Sequence, residues 1–202
     1  NVQLTEEEKN NYLKIIIKSG IGLVSIIEDL IEMSKIDANQ IAPKYSAINL
    51  DKCIRELFET IKVTVPKEKN IDFYLEENKT SLTLPVLTDD VKLKQIITKY
   101  TEKGFVSFGY EVNENDQEIE FVIKDSGIGI DAKNLKLIFD RFRRIEEDYS
   151  AEFSGLGLGL SISKAYVELL GGKLTVKSIA GEGSVFSFTI PLIYDTKNEN
   201  LY

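Results

Sequence analysis

The sequence predicts an α+β protein: a two-layer α/β sandwich preceded by a long helix. Three observations lead there. Helical and strand-like stretches alternate without the spacing of βαβ units, which points to one mixed sheet with helices on one face. Two pairs of strand-like runs, 108–112 with 118–124 and 173–178 with 184–192, are joined by short polar or glycine-bearing turns and read as hairpins. Residues 5–36 carry a helical repeat of about 30 residues, which spans roughly 45 Å and exceeds the width of a small domain.

The elements follow in order. Thr5 with Glu8 makes a capping box at the start of the long helix. Leu13, Ile16, Ile17, Leu23, Val24, Ile27, Leu30 and Ile31 share one face at three- and four-residue steps, while Gly20 and Gly22 weaken the middle. Such a stripe suits a helix that leaves its domain for a bundle or coiled coil; the plainer alternative is a core helix of the same domain. Asp37 to Pro43 is a linker and Tyr45 to Leu50 a short strand. Asp51 to Val65 is an amphipathic helix stopped by Pro66. Ile71 to Leu75 and Leu82 to Leu87 read as strands, and Thr88 is the expected cap of a helix from Asp89 to about Phe105. A looser helical region covers Asp131 to Arg144, and a polar stretch runs on to Ser154. With Phe139 and Phe142 as anchors, 131–154 is expected to form a mobile lid. A helix over 160–170 ends at Gly171-Gly172. The helices at 51–65, 89–105 and 160–170 are expected to cover one sheet face, because their apolar stripes need a common partner.

Composition narrows the function. The chain has 202 residues, a formal net charge of −8 and ordinary hydrophobic content, which argues against a nucleic-acid binder with a basic face. No apolar run reaches membrane-spanning length and no signal peptide is visible. The single Cys53 rules out an internal disulfide and reads as a small core residue. With no histidine in the chain, a Ser-His-Asp triad, a Cys-His pair and His-ligated metals are excluded. Glu199-Asn200-Leu201-Tyr202 matches the start of a common protease-tag cleavage sequence, so the chain is expected to be a piece of something longer, with a tail at 195–202 that ends in this tag remnant.

Two glycine clusters carry the chemistry. Asp125-Ser126-Gly127-Ile128-Gly129-Ile130 follows a strand-like run, and Gly155-Leu156-Gly157-Leu158-Gly159-Leu160 leads straight into a helical pattern. Glycine lets backbone approach a ligand and tolerates positive φ. A glycine-rich turn at a helix N-terminus offers free N–H groups to phosphate. An Asp at a strand end can accept a hydrogen bond from an exocyclic amine. The pair suggests a nucleotide pocket with a base-reading end and a phosphate end. Either cluster alone is weak: the first could be a plain turn and the second a flexible lid. Neither the Walker pattern nor the dinucleotide fingerprint fits.

The order of these motifs resembles the catalytic ATP-binding domain of sensor histidine kinases, in the gyrase/Hsp90/histidine kinase/MutL ATPase superfamily. Met33-Ser34-Lys35-Ile36-Asp37 resembles the end of the second dimerisation helix in that family. Asp125 to Ile130 resembles the first glycine box, and Ile138-Phe139-Asp140-Arg141-Phe142-Arg143 the phenylalanine box. Gly155 to Ile162 resembles the second glycine box, and Gly181-Glu182-Gly183-Ser184 the closing turn. The resemblance implies the Bergerat-type fold, with 1–40 as dimerisation helix plus linker and 41–194 as the ATP-binding domain. It implies that Asp125 reads adenine, with Gly127, Gly129 and Ile130 around the base. It also implies phosphate contacts from Gly155, Leu156, Gly157, Leu158 and Gly159, with Arg141 as a further candidate.

The asparagine box departs from the family. Counting on from Leu93-Lys94-Gln95-Ile96-Ile97, its two asparagines are Lys99 and Lys103 here, and the family's phosphate-reaching lysine is Val106. An ammonium has only donors and cannot ligate Mg²⁺. Either Lys103 replaces the cation as a point charge on phosphate, or the pocket has lost catalysis and the lysines pair with acidic neighbours. No metal site is therefore expected, and ATP binding is expected to be weak and largely independent of Mg²⁺.

The resemblance implies transfer of the γ-phosphoryl group from ATP to a histidine outside this chain, with activity impaired by the lysines. The alternative is a catalytically inactive signalling and dimerisation module. Another superfamily ATPase, such as an anti-sigma kinase or chaperone-type ATPase, fits the Ser34-Lys35-Ile36-Asp37 segment less well. Homodimerisation through the N-terminal helix, a response-regulator receiver domain as partner, no nucleic acid, and a cytoplasmic location within a membrane-associated parent complete the implied picture.

Overall fold

In the computed structural model the described residues are 4–64, 72–76, 82, 84–98, 105–143 and 156–195. The chain opens with α1 (Glu6–Asp37), then β1 (Ser46–Ile48), α2 (Leu50–Thr64), β2 (Phe73–Leu75), β3 (Val86–Thr88) and α3 (Asp90–Thr98). The hairpin β4 (Val106–Asn113) and β5 (Glu118–Asp125) follows, then α4 (Gly159–Leu169) and the hairpin β6 (Leu174–Ile179) and β7 (Gly183–Pro191).

Five strands form the main sheet in the order β2-β4-β5-β7-β6, antiparallel except for the parallel β2–β4 pair. Alternation fixes its buried face. Ile119, Phe121 and Ile123 of β5 are buried while Glu118 and Glu120 are exposed. Their cross-strand partners Ile190, Phe188 and Phe186 lie on the same face, and the Phe121 and Phe188 rings stack with centroids 4.7 Å apart. Ile54, Leu57 and Ile61 of α2, Leu93, Ile96 and Ile97 of α3, and Ile162, Tyr166 and Val167 of α4 join the same core cluster. Each such side chain contributes about 1.5–3 kcal/mol when taken out of water. The three helices thus cover one sheet face, as the sequence predicts.

Three local expectations are corrected. β1 and β3 do not join the main sheet but form a separate antiparallel pair. The tail after β7 also engages this pair: Leu87 N donates to Ile193 O and Asp195 N to Pro85 O. The cap of α3 is Asp89 rather than Thr88: its carboxylate accepts from Lys92 N at 3.0 Å and from Lys44 N at 2.8 Å. The looser helix expected from Asp131 is, through Phe142, a chain of turns in which Asn134 O accepts from both Leu137 N and Ile138 N. Asp131 and Asn134 favour such turns, and Phe142 sits at φ 59, outside helical space.

α1 runs 32 residues, about 48 Å. Its capping box is present, with Glu8 N donating to Thr5 Oγ1 at 3.2 Å and Thr5 N to Glu8 Oε2 at 2.7 Å. The apolar stripe from Leu13 to Ile31 is exposed, whereas Met33 is buried where the foot of the helix meets α4. Among the described residues no helix is long and apolar enough to cross a membrane.

Candidate functional site

β5 ends at Asp125, whose ladder partners are Val106 on β4 and Ser184 on β7. Its carboxylate turns back on its own chain: Oδ1 accepts from Gly127 N at 2.8 Å. Residue 127 has no room to spare, since a Cβ there would lie 2.9 Å from the same Oδ1. Gly129 has φ +66, and a Cβ on it would lie 1.9 Å from Ile179 O, so only glycine fits. Ile130 closes the turn with a buried side chain and donates its N–H to Ser178 Oγ at 2.8 Å. Asp125, Gly127, Gly129 and Ile130 therefore belong to one tightly built turn, with the half-buried Asp125 carboxylate at its start.

The second turn leads into α4. Gly157 has φ +71 and packs against Arg143, whose carbonyl oxygen would lie 2.4 Å from an added Cβ. Leu158, buried, is the N-cap of α4 and supplies no side-chain cap. The leading N–H groups from Gly159 onward are thus left by the cap residue for other acceptors, the arrangement that suits an anion. Leu156 and Gly159 are half-buried beside them. Lys99, Lys103 and Gly155 lie outside the described residues, as do 144–154 of the segment expected to be a lid.

Arg141 is engaged elsewhere than at the glycine turns. Its guanidinium forks the Asp37 carboxylate at the end of α1, with Nη1 to Oδ2 at 2.6 Å. A second junction sits deeper. Lys92 Nζ on α3 donates to Glu32 Oε1 at 3.0 Å and lies 4.1 Å from the centroid of the Tyr166 ring. The Tyr166 hydroxyl, on α4, donates to the same Glu32 oxygen. α1 is thereby tied to α3 and to α4, the helix that follows the second glycine turn. Sequence reasoning missed these contacts, because Glu32 and Lys92 are 60 residues apart and Asp37 and Arg141 are 104 apart.

Away from both turns, a shallow cavity of 230 Å³ is lined by Ile48, Asn49, Lys52, Cys53, Glu56, Asp90 and Lys94. Burial pushes the Cys53 thiol up, so it suits the core role expected of it better than a nucleophilic one.

Comparison with known proteins places the family and the fold. The family model described as "Histidine kinase-, DNA gyrase B-, and HSP90-like ATPase" matches residues 91–193. The sensor histidine kinase WalK of Bacillus subtilis is 30% identical over 177 residues, covering 84% of this chain and 28% of WalK. The aerobic respiration control sensor protein ArcB of Escherichia coli is 30% identical over 200 residues, covering 94% of this chain and 25% of ArcB. The chain therefore spans under a third of these relatives. Among solved structures, full-length ShkA in complex with AMPPNP has a TM-score of 0.78 at 24% identity, over 96% of this chain and 41% of ShkA. ThkA in complex with the response regulator TrrA has a TM-score of 0.71 at 23% identity, over 95% of this chain and 53% of that one. At those identities the structural likeness establishes the fold.

Proposed function

This chain belongs to the histidine kinase-, DNA gyrase B- and HSP90-like ATPase family, and on that premise we propose that it is the ATP-binding region of a two-component sensor histidine kinase with impaired phosphoryl transfer. The observation that carries this reading is the turn after β5: a carboxylate at a strand end, followed by a backbone path that only glycine can take at 129.

The residues fit an adenine nucleotide. Asp125 would accept from the adenine amine, and Gly127, Gly129 and Ile130 would border the base. Leu156, Gly157, Leu158 and Gly159, with Gly155 before them, would present backbone N–H groups to the phosphates. Lys99 and Lys103 do not fit Mg²⁺, because they carry donors only. No step is therefore routed through a metal. The lysines would meet phosphate as point charges, while Arg141 is available to it only when its pair with Asp37 opens. In the transfer itself, the γ-phosphorus would leave its bridging oxygen on ADP and bond to a histidine nitrogen outside this chain. Without metal to offset charge at the β- and γ-oxygens, that step is expected to be slow or absent. The second reading, an inactive signalling module, rests on the same lysines.

We further propose that the exposed stripe of α1 pairs with a second copy in the parent protein, since so large an apolar surface seeks cover. A response-regulator receiver domain is the proposed partner, taking the phosphoryl group on from that histidine. The location is proposed to be cytoplasmic, within a membrane-associated parent.

Calorimetric titration of ATP with and without Mg²⁺ tests the central reading. Weak binding that changes little with Mg²⁺ is expected, and Lys103→Asn should raise the Mg²⁺ dependence severalfold. Tight, Mg²⁺-dependent binding by the unmodified chain would return it to the ordinary kinases.

A further inference from the structure

β6 sets up an unusual position. Its side chains alternate, with Leu174, Val176 and Ser178 half-buried and Thr175, Lys177 and Ile179 exposed. Ser178 is thus a hydroxyl in a row whose other members are apolar. Its Oγ accepts from Ile130 N at 2.8 Å, donates to Gly183 O at 2.7 Å and lies 3.0 Å from Ser184 Oγ. A hydroxyl has one donor and two acceptor sites, so with its proton on Gly183 O the contact with Ser184 requires the Ser184 hydroxyl to donate.

These three partners matter because of where they sit. Ile130 ends the turn that begins at Asp125. Gly183 begins β7 at φ +115, with its Cα so close to Asp125 that an added Cβ would lie 2.1 Å from Asp125 O. Ser184 is the ladder partner of Asp125 itself. The β6–β7 turn adds one more link, as Gly181 N donates to Ile128 O at 2.7 Å. The turn 127–130 is therefore held at three points: Gly127 N by Asp125, Ile128 O by Gly181, and Ile130 N by Ser178. Of these holds, only the one at Ser178 reaches across from another strand through a side chain.

We propose that Ser178 is a positioning residue for base recognition: its hydroxyl fixes the turn 127–130 against the β6–β7 turn, and so sets the Asp125 carboxylate and the space beside it for an adenine ring. This rests on the adenine-site reading above. Ser178 itself need not touch the base. Its removal leaves the Ile130 N–H and Gly183 C=O without their partner, and the loss should be felt at the base end of the ligand and not at its phosphates.

Adenosine and ADP are titrated by calorimetry into the unmodified chain, Ser178→Ala and Ser178→Thr, with a thermal melt of each. Ser178→Ala should weaken adenosine and ADP by the same factor, about tenfold. Ser178→Thr, which keeps the hydroxyl, should recover most of the loss. Amide exchange should quicken at Ile130 in Ser178→Ala and stay unchanged at Phe121 in the middle of β5. Equal binding by Ser178→Ala and the unmodified chain would overturn the proposal, as would a loss confined to ADP or a threonine variant no better than alanine. If Ser178→Ala does not fold, Ser178→Cys serves in its place, with a weaker acceptor of similar size; unaltered adenosine binding there would equally overturn it. An unmodified chain that binds neither adenosine nor ADP would sink the adenine-site reading itself, a result distinct from binding that ignores Ser178.

Discussion

The two glycine turns look alike in sequence and are supported differently. Gly129 and Gly157 both take positive φ, and both leave no space for a Cβ against a backbone carbonyl. For Gly129 that carbonyl belongs to Ile179, which is paired with Gly183 in the β6–β7 ladder and flanked by the Ser178 hydrogen bonds. For Gly157 it belongs to Arg143, which follows a run of turns and is in no strand or helix. The first turn, proposed to read the base, thus rests on the sheet, and the second, proposed to hold phosphate, on a loop. A glycine motif alone says that backbone comes close; what it comes close to decides how firmly the site is held.

Alanine at each position should separate the two cases. Gly129→Ala meets Ile179 O at 1.9 Å in a conformation L residues avoid, and the sheet cannot yield. We expect a loss of about 3 kcal/mol or more in urea-induced unfolding, with nucleotide binding abolished. Gly157→Ala meets Arg143 O at 2.4 Å, but that carbonyl belongs to no strand or helix and is expected to shift. About 1–2 kcal/mol is expected, close to the cost of the left-handed backbone alone. Equal losses at both positions would show that the loop is as firmly held as the sheet.

Asp125→Asn acts on the same contrast from the ligand's side. It keeps the shape of the turn, because an amide oxygen can still accept from Gly127 N, but removes the charge that would face the adenine amine. ATP affinity measured by calorimetry should fall by ~1.5–3 kcal/mol with little change in melting temperature. An unchanged affinity would place the nucleotide elsewhere.

Much of this was legible in the sequence because it is local. The capping box at Thr5, the two hairpins and the glycine turns are each written within a few residues. The stripe of α1 was legible too, and its exposure follows from its length. The fold's long-range polar contacts were not. Glu32 with Lys92 and Tyr166, and Asp37 with Arg141, join residues far apart in sequence, and no pattern within one element announces the partner. The sequence places the cap of α3 one residue early, since Thr88 and Asp89 are both good caps and the bonds that Asp89 accepts from Lys92 N and from the distant Lys44 N distinguish them. Ser178 did leave a trace, a hydroxyl in an otherwise apolar inward row, which a reading of strands by hydrophobicity alone passes over.

The smallest expected effect concerns the strands that carry Asp125. On the side of the sheet away from the helices, Glu76 Oε1 accepts from Ser107 Oγ at 2.9 Å on β4 and from Lys124 Nζ at 3.0 Å on β5, one residue before Asp125. Partial burial pushes the Glu76 carboxyl up, but its hydrogen bonds from Lys124 and Ser107 and the Lys124 charge outweigh this and hold it below its ordinary value of 4.5. A carboxyl with a depressed folded pKa binds fewer protons than it does unfolded. Its contribution is therefore complete above about pH 4.5 and lost as pH falls through the lower folded value. With both side chains 45% exposed, solvent screening keeps that contribution under about 1 kcal/mol. Glu76→Gln should remove this part of the acid dependence in urea unfolding between pH 3 and pH 6 while leaving adenosine binding at neutral pH unaltered. A marked loss of adenosine binding in Glu76→Gln would mean that the turn proposed to read the base depends on the strands beneath it as well as on the β6–β7 turn beside it.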